Sequence, residues 1–195
     1  MSDGHAAETG LPRRGNRFSR ALGRTLLRLL GWRIEGHLPN VSKCVAIAAP
    51  HTSNWDFLFG VCAMFELGVR VDWIGKHTLF RGPLGPVMRF LGGTPITRTE
   101  SEGVVRQVVE AMSGRDRYIL GVSPEGTRKR VKRWKTGFYH VAREAGVPIL
   151  MTYFDYRHRT VGLGPTFEPT GDIERDMAEI QEFYAGKVGK HPSQF

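Results

Sequence analysis

Three short stretches of the chain carry side chains able to do chemistry. The first is "APHTSNWDF", residues 49–57, where His51 follows an apolar run and Asp56 comes five positions later. A histidine with a carboxylate on one ring nitrogen has a fixed tautomer and a second nitrogen free to act as a base. The same residues also describe a helix start. Ser53 is a natural N-cap and Asp56 stands three positions on, a capping-box pattern with Asp where Glu or Gln is usual. Positions five apart lie roughly 140° around a helix and do not share a face. His51 precedes the helix, however, and a turn can fold its ring back over the first helical turn, within reach of Asp56.

The second stretch is "GVSPEGTRKR", residues 121–130. Pro124 and Gly126 make a tight turn there. The turn presents Glu125, Thr127 and Arg128 beside backbone N–H groups, or it is a connecting loop with incidental charges. Ser123 gives "GVSPE", close to the hydrolase elbow G-x-S-x-G but without its second glycine. In that elbow the residue after the serine donates its N–H to the oxyanion, and Pro124 has none. The third stretch runs from residue 75 to 98, "GKHTLFRGPLGPVMRFLGGTPITR". Lys76 and Arg98 each follow a predicted strand. Phe80, Leu84, Val87, Met88, Phe90 and Leu91 make it either ordinary core and loop or a groove for an acyl chain, with Lys76 and Arg98 holding anionic groups.

These residues need a scaffold, and the pattern around them supplies one. "KCVAIAA", "VDWIG", "GTPIT", "DRYILGVS" and "VPILMTYFDY" read as strands. "NWDFLFGVCAMFEL", "PLGPVMRFLG", "ESEGVVRQVVEAM", "TGFYHVAREAG" and "DIERDMAEIQEFYA" read as helices. The alternation predicts an α/β fold: a single domain with a largely parallel central sheet flanked by helices. Active sites of such sheets lie beyond the carboxyl ends of the strands. His51 and the "SPEGTR" turn both follow strands directly.

Ahead of this domain, residues 1–16 read as a disordered lead and 17–195 as the single domain. The lead runs into "NRFSRALGRTLLRLLGW", a basic amphipathic helix. Arg17, Arg20, Arg24 and Arg28 recur at helical spacing, with Phe18, Leu22, Leu26 and Leu29 on the opposite face. Such a helix either packs on the domain with its arginines solvated or lies on an anionic membrane surface.

The whole chain agrees with these local readings. Its 195 residues are enough for a sizeable core, and hydrophobic residues make up 41%. The net charge of +9 points to an anionic partner. "RKRVKRWKTG" concentrates that charge, but no recognised nucleic-acid module surrounds it, and no nucleic-acid partner is expected. Cys44 and Cys62 sit in apolar surroundings and read as buried thiols of a reducing cytoplasm. The histidines are scattered, so no metal site is expected. No run of about eighteen apolar residues is present, so no transmembrane helix is predicted.

Together the three stretches resemble the glycerolipid acyltransferase family, the lysophosphatidate acyltransferase superfamily. The first signature, H-x4-D, is matched by His51 and Asp56. The second, a Lys-bearing Gly/Pro-rich segment, is matched from Lys76 to Arg98. The third, P-E-G-T-R, is matched by Pro124, Glu125, Gly126, Thr127 and Arg128, and the fourth by Val147, Pro148 and Ile149. The resemblance covers about residues 40–155. Ser123 stands where the family often has a bulky apolar residue, and the strand after Ile149 is more polar than usual.

The resemblance implies transfer of an acyl group from a thioester, acyl-CoA or acyl carrier protein, to a hydroxyl of a lysophospholipid such as lysophosphatidate. It implies His51 as base and Asp56 as its orienter. Backbone groups around Lys76 and Gly126 would serve the oxyanion. Arg98 and Arg128, with Glu125 and Thr127 of the same turn, would hold the acceptor's phosphate. No cofactor is implied beyond the acyl donor. With helix 17–31 on an anionic bilayer, the enzyme is expected to be cytoplasmic and peripheral on the inner face of the cell membrane. Two other readings compete: a non-catalytic anionic lipid or nucleic-acid binding module, in which His51 and Asp56 are incidental, and a serine hydrolase acting through Ser123.

Overall fold

A computed structural model describes residues 10–96 and 101–195. In chain order the elements are α1 (Arg17–Leu29), β1 (Arg33–Gly36), β2 (Lys43–Ala49), α2 (Asn54–Leu67), β3 (Asp72–Lys76), α3 (Leu84–Phe90), β4 (Gly93–Ile96), α4 (Ser101–Ser113), β5 (Tyr118–Val122), α5 (Gly137–Ala145), β6 (Ile149–Asp155), β7 (Thr160–Phe167) and α6 (Ile173–Tyr184). Short 3-10 turns lie at His77–Phe80 and Pro192–Gln194. The seven strands form one sheet in the order β1-β7-β6-β2-β5-β3-β4. Every neighbouring pair is parallel except β6 with β7. The α/β single-domain expectation holds.

The central strands are buried on both faces, as near-continuous apolar runs in a covered parallel sheet must be. Along β2, Val45, Ile47 and Ala49 join a core with Phe138, Tyr139, Ile180 and Tyr184 of α5 and α6. Cys44, one step out of phase, packs on the opposite side with Leu11, Leu67 and Val69. Fully burying one such Leu or Ile side chain stabilises the fold by about 1.5–3 kcal/mol. Phe57 of α2, Trp73 of β3 and Phe80 of the 3-10 turn form a chain of ring contacts on this second side.

Three features differ from the sequence expectation. First, β1 and β7 were not foreseen. β1 is four residues long, and "TVGLGPTF" carries two glycines and a proline, a composition that reads as turn. Its glycines have a packing cause: a Cβ on Gly162 would lie 1.9 Å from Cζ of Tyr153. Second, of the lead taken as disordered over 1–16, residues 10–16 are laid against the domain, and 1–9 lie outside the described residues. Leu11 is fully buried. The Arg14 N–H donates to the Gly68 carbonyl and the Arg70 N–H to the Pro12 carbonyl.

Third, α1 presents the opposite face to that of a helix packed with solvated arginines. Gly23 and Leu27 are buried against α2, and Arg24 pairs with Glu66 at 3.3 Å. The Gly23 Cα has no room for a side chain, since a Cβ would come within 2.5 Å of the Cys62 carbonyl oxygen. Phe18, Leu22, Leu26 and Leu29 are left exposed, Phe18 by 75% and Leu29 by 78%. Trp55 and Leu58 on α2, and Leu84, Val87 and Phe90 on α3, add further exposed apolar side chains.

Candidate active site

The site is built where β2 ends and α2 begins. Ser53, in extended conformation, caps α2, and its Oγ accepts from the Trp55 N–H at 3.2 Å. Asp56 closes the capping box from the third helical position. Its Oδ2 accepts from the N–H groups of Thr52 and Ser53, each at 2.8 Å. The same oxygen lies 3.3 Å from Nδ1 of His51. Asp56, with no exposed surface, therefore both closes the helix cap and lies against the His51 ring. The His51 side chain keeps 27% of its surface exposed. With Nδ1 turned to Asp56, Nε2 is the nitrogen left for chemistry.

The neighbouring strand fixes His51 from its backbone. β5 pairs with β2 in parallel register, Ala46 against Gly121 and Ile47 against Val122. The turn after β5 thus lies beside the turn after β2. Glu125 is buried in it, and its Oε1 accepts the His51 N–H at 2.9 Å. Its Oε2 accepts from the Ser123 hydroxyl. Burial pushes the Glu125 carboxyl above the usual range, and these two donors pull it partly back. The "PEGTR" stretch is split by this arrangement. Pro124 and Glu125 face inward, whereas Thr127 and Arg128 are exposed.

Two of the expected site residues are engaged within the protein. Glu125 does not reach outward to an acceptor; both its oxygens are engaged inside the protein. The Gly126 N–H donates to the Ser123 carbonyl at 3.1 Å, closing the turn. Gly126 itself is required by its φ of 63°, in the left-handed region. Lys76 stands exposed at the carboxyl end of β3, two strands from β2 in the sheet. It makes no hydrogen bond or ion pair to His51 or Asp56. Arg98 lies outside the described residues. Phe80 is buried beside Trp73, but Leu84, Val87 and Phe90 are exposed surface. The Ser123 hydroxyl is committed to Glu125, and His51 faces Asp56.

Two contributors were not foreseen. Tyr156, directly after β6, donates its hydroxyl to Oδ1 of Asp56. Burial raises this phenol far above its ordinary value, and the bond to Asp56 and that residue's charge raise it further. The only sequence hint was the unusual polarity of the strand ending "YFDYRHR". The second contributor is the segment after α6. Val188 accepts the Tyr156 N–H at 2.8 Å, and the His191 N–H donates to Oγ1 of Thr52 at 3.2 Å. Gly189 lies against Pro50 and Thr52, and Nζ of Lys190 sits 4.9 Å from the Trp55 ring centre. This strap holds the His51 turn through Thr52 and Tyr156, and nothing in its composition announces it. No group of three or more potential metal ligands gathers among the described residues.

The chain is similar to known proteins in sequence and in fold. The chain is 27% identical over 148 residues to a 1-acyl-sn-glycerol-3-phosphate acyltransferase of Haemophilus influenzae, covering 71% of this chain and 60% of that protein. It is 31% identical over 143 residues to the Escherichia coli protein of the same name, covering 68% of this chain and 56% of that one. It thus spans somewhat over half the length of these curated relatives. Its fold matches the crystal structure of the 1-acyl-sn-glycerophosphate (LPA) acyltransferase PlsC from Thermotoga maritima with a TM-score of 0.58. That match has 17% sequence identity and covers 89% of this chain and 81% of that one. The profile of the family described as Acyltransferase matches residues 33–154, which hold both His51 and Asp56 and the whole "PEGTR" turn, and the chain belongs to that family.

Proposed function

We propose that the protein transfers a fatty acyl group from acyl-CoA or acyl carrier protein to a hydroxyl of lysophosphatidate or a related lysophospholipid, as a step of phospholipid biosynthesis. The observation that carries this reading is the His51 Nδ1 to Asp56 Oδ2 contact at 3.3 Å on a buried carboxylate. Asp56 fixes the imidazole so that Nε2 takes the proton of the acceptor hydroxyl as its oxygen attacks the thioester carbonyl. A C–O bond forms, the tetrahedral oxyanion collapses, the C–S bond breaks, and the leaving thiolate receives the proton from His51. A thiolate is a good leaving group, with a thiol pKa of about 8.5. No serine nucleophile is needed, and Pro124 leaves the Ser123 region without the N–H a hydrolase elbow requires.

The exposure of Thr127 and Arg128 supports a part for them in meeting an acceptor's phosphate from solvent. Arg98 and Lys76 retain their proposed parts in binding anionic groups and the oxyanion. The exposed apolar stripe of α1, flanked by Arg17 and Arg28, supports docking on an anionic bilayer. No helix among the described residues is long and apolar enough to cross a membrane. A peripheral place on the inner face of the cell membrane, in the cytoplasm, follows from this reading.

The test is acyl transfer from long-chain acyl-CoA to lysophosphatidate, followed by thiol release and diacyl product, beside His51→Ala. The expected loss in the variant is roughly a thousandfold. Undiminished transfer in His51→Ala would remove His51 as the base. Transfer from acyl carrier protein in place of acyl-CoA would decide the donor.

A further inference from the structure

The capping box of α2 needs only one oxygen of Asp56. Oδ2 already serves the Thr52 and Ser53 N–H groups and His51. Oδ1 is turned the other way, onto a hydroxyl brought from a strand end 100 residues downstream. Helix capping does not explain that contact. A carboxylate with no exposed surface must have its second oxygen satisfied, or it rotates or takes up a proton.

We propose that Tyr156 is a positioning residue for the dyad: its hydroxyl locks the rotation of the Asp56 carboxylate and spreads its charge, and so sets both the aim and the pull of Oδ2 on His51. The proposal rests on the acyltransferase reading for its kinetic consequence, but not for its electrostatic one.

Tyr156 is itself well held. Its N–H donates to Val188 at 2.8 Å. Its ring meets Trp32 edge-on, with centroids 4.8 Å apart, and Phe59 at 6.0 Å. Its burial beside a carboxylate keeps it a phenol, so it remains a donor throughout the working pH range. The donor therefore sits on a rigid aromatic post, not on a mobile loop side chain.

The direction of the effect follows. Each donor to Asp56 withdraws charge that would otherwise stabilise a protonated His51. Without the Tyr156 hydroxyl, Oδ1 is left bare and the carboxylate pulls harder on the Nδ1 proton. Protonation of His51 then extends to higher pH. The other polar and charged groups facing the turn, Glu125 on the His51 N–H and Lys190 and His191 of the strap, are untouched by this change.

The test is Tyr156→Phe, which keeps the ring contacts with Trp32 and Phe59. Its fold is checked by thermal unfolding. The His51 ring titration is followed by NMR in the full chain, assigned with His51→Ala, so this arm does not depend on turnover. A midpoint displaced to higher pH is expected; an unchanged midpoint overturns the proposal. In the transfer assay, kcat is expected to fall about ten- to a hundredfold at unchanged KM, with the acid limb of the pH profile displaced in the same direction. In an Asp56→Asn background the same substitution should cost nothing more. A further, additive loss there would show that Tyr156 acts through packing and not through Asp56. Loss of all transfer in the unmodified protein would count against the acyltransferase reading alone and leave the titration to decide.

Discussion

The backbone N–H of His51 donates to the carboxylate of Glu125, 74 residues downstream, at 2.9 Å. One bond thus ties the turn after β2 to the turn after β5 and joins the two most distinctive motifs of the chain. Glu125 serves this bond at a cost to stability, because its burial disfavours the charged form. With its native pKa raised above the unfolded value, the group contributes stability at low pH that is lost as pH rises through the raised value. Glu125→Gln is therefore expected to be more stable than the parent near neutral pH by about 1 kcal/mol. The difference should shrink toward acid pH in urea unfolding. Its transfer rate should nevertheless fall, since an amide cannot accept from both the His51 N–H and Ser123 in the same way.

Ser123→Ala separates a supporting hydroxyl from a nucleophile. The hydroxyl donates to Oε2 of Glu125, so its removal leaves a buried carboxylate short of one donor. A loss of about 1–3 kcal/mol in unfolding free energy is expected, with transfer activity retained and no covalent acyl-enzyme detected by mass spectrometry. Abolished activity with a trapped acyl-serine in the parent would favour a hydrolase mechanism.

Asp176 anchors the start of α6. It is buried and accepts from the Tyr139 hydroxyl at 2.8 Å and from the Thr170 N–H and hydroxyl at 2.7 Å each. Burial alone would raise its pKa, but the donors from Thr170 and Tyr139 outweigh it and hold the carboxyl below its ordinary value. The stability it contributes is present above its unfolded pKa and is lost as pH falls through the depressed one. Asp176→Ala should cost about 3 kcal/mol at neutral pH. The gap to the parent should narrow on strong acidification, as read from urea unfolding at several pH values.

The two faces of α1 should respond oppositely. Replacing Phe18 and Leu29 by Ser, both largely exposed, should leave thermal unfolding unchanged and weaken binding to phosphatidylglycerol vesicles by roughly tenfold per residue. Gly23→Ala gains about 1 kcal/mol of helix propensity. It also drives a methyl group against the backbone of Cys62 and Glu66, atoms that cannot swing aside. The overlap should win, with a net loss of about 1–3 kcal/mol in the same unfolding measurement. Unimpaired vesicle binding by the double Ser variant would dismiss α1 as the docking helix.

What the sequence made legible was local. The six α-helices among the described residues stand where apolar periodicity placed them, because the signals, such as Ser53 before α2 or Gly146 after α5, lie within a few residues of the element. The dyad was legible for the same reason, its members being five residues apart. What depends on distant chain was not. β7 has a strand's geometry only because β6 and the rings of Tyr153 and Phe183 accept its glycines. The inward turn of Glu125, the hydroxyl of Tyr156 and the strap across Thr52 all arise from neighbours in the sheet, not from neighbours in sequence. The outward apolar face of α1 follows from Gly23, whose missing side chain decides which side of the helix can approach α2.

That close approach has a mechanical result. α1 and α2 run together as one stiff pair, and the first turn of α2 carries Asp56. A bilayer gripping the outer stripe of α1 would hold His51 at a set height above the headgroups, as a gauge holds a blade. The acceptor, confined to the same plane, would need to travel only sideways to reach it.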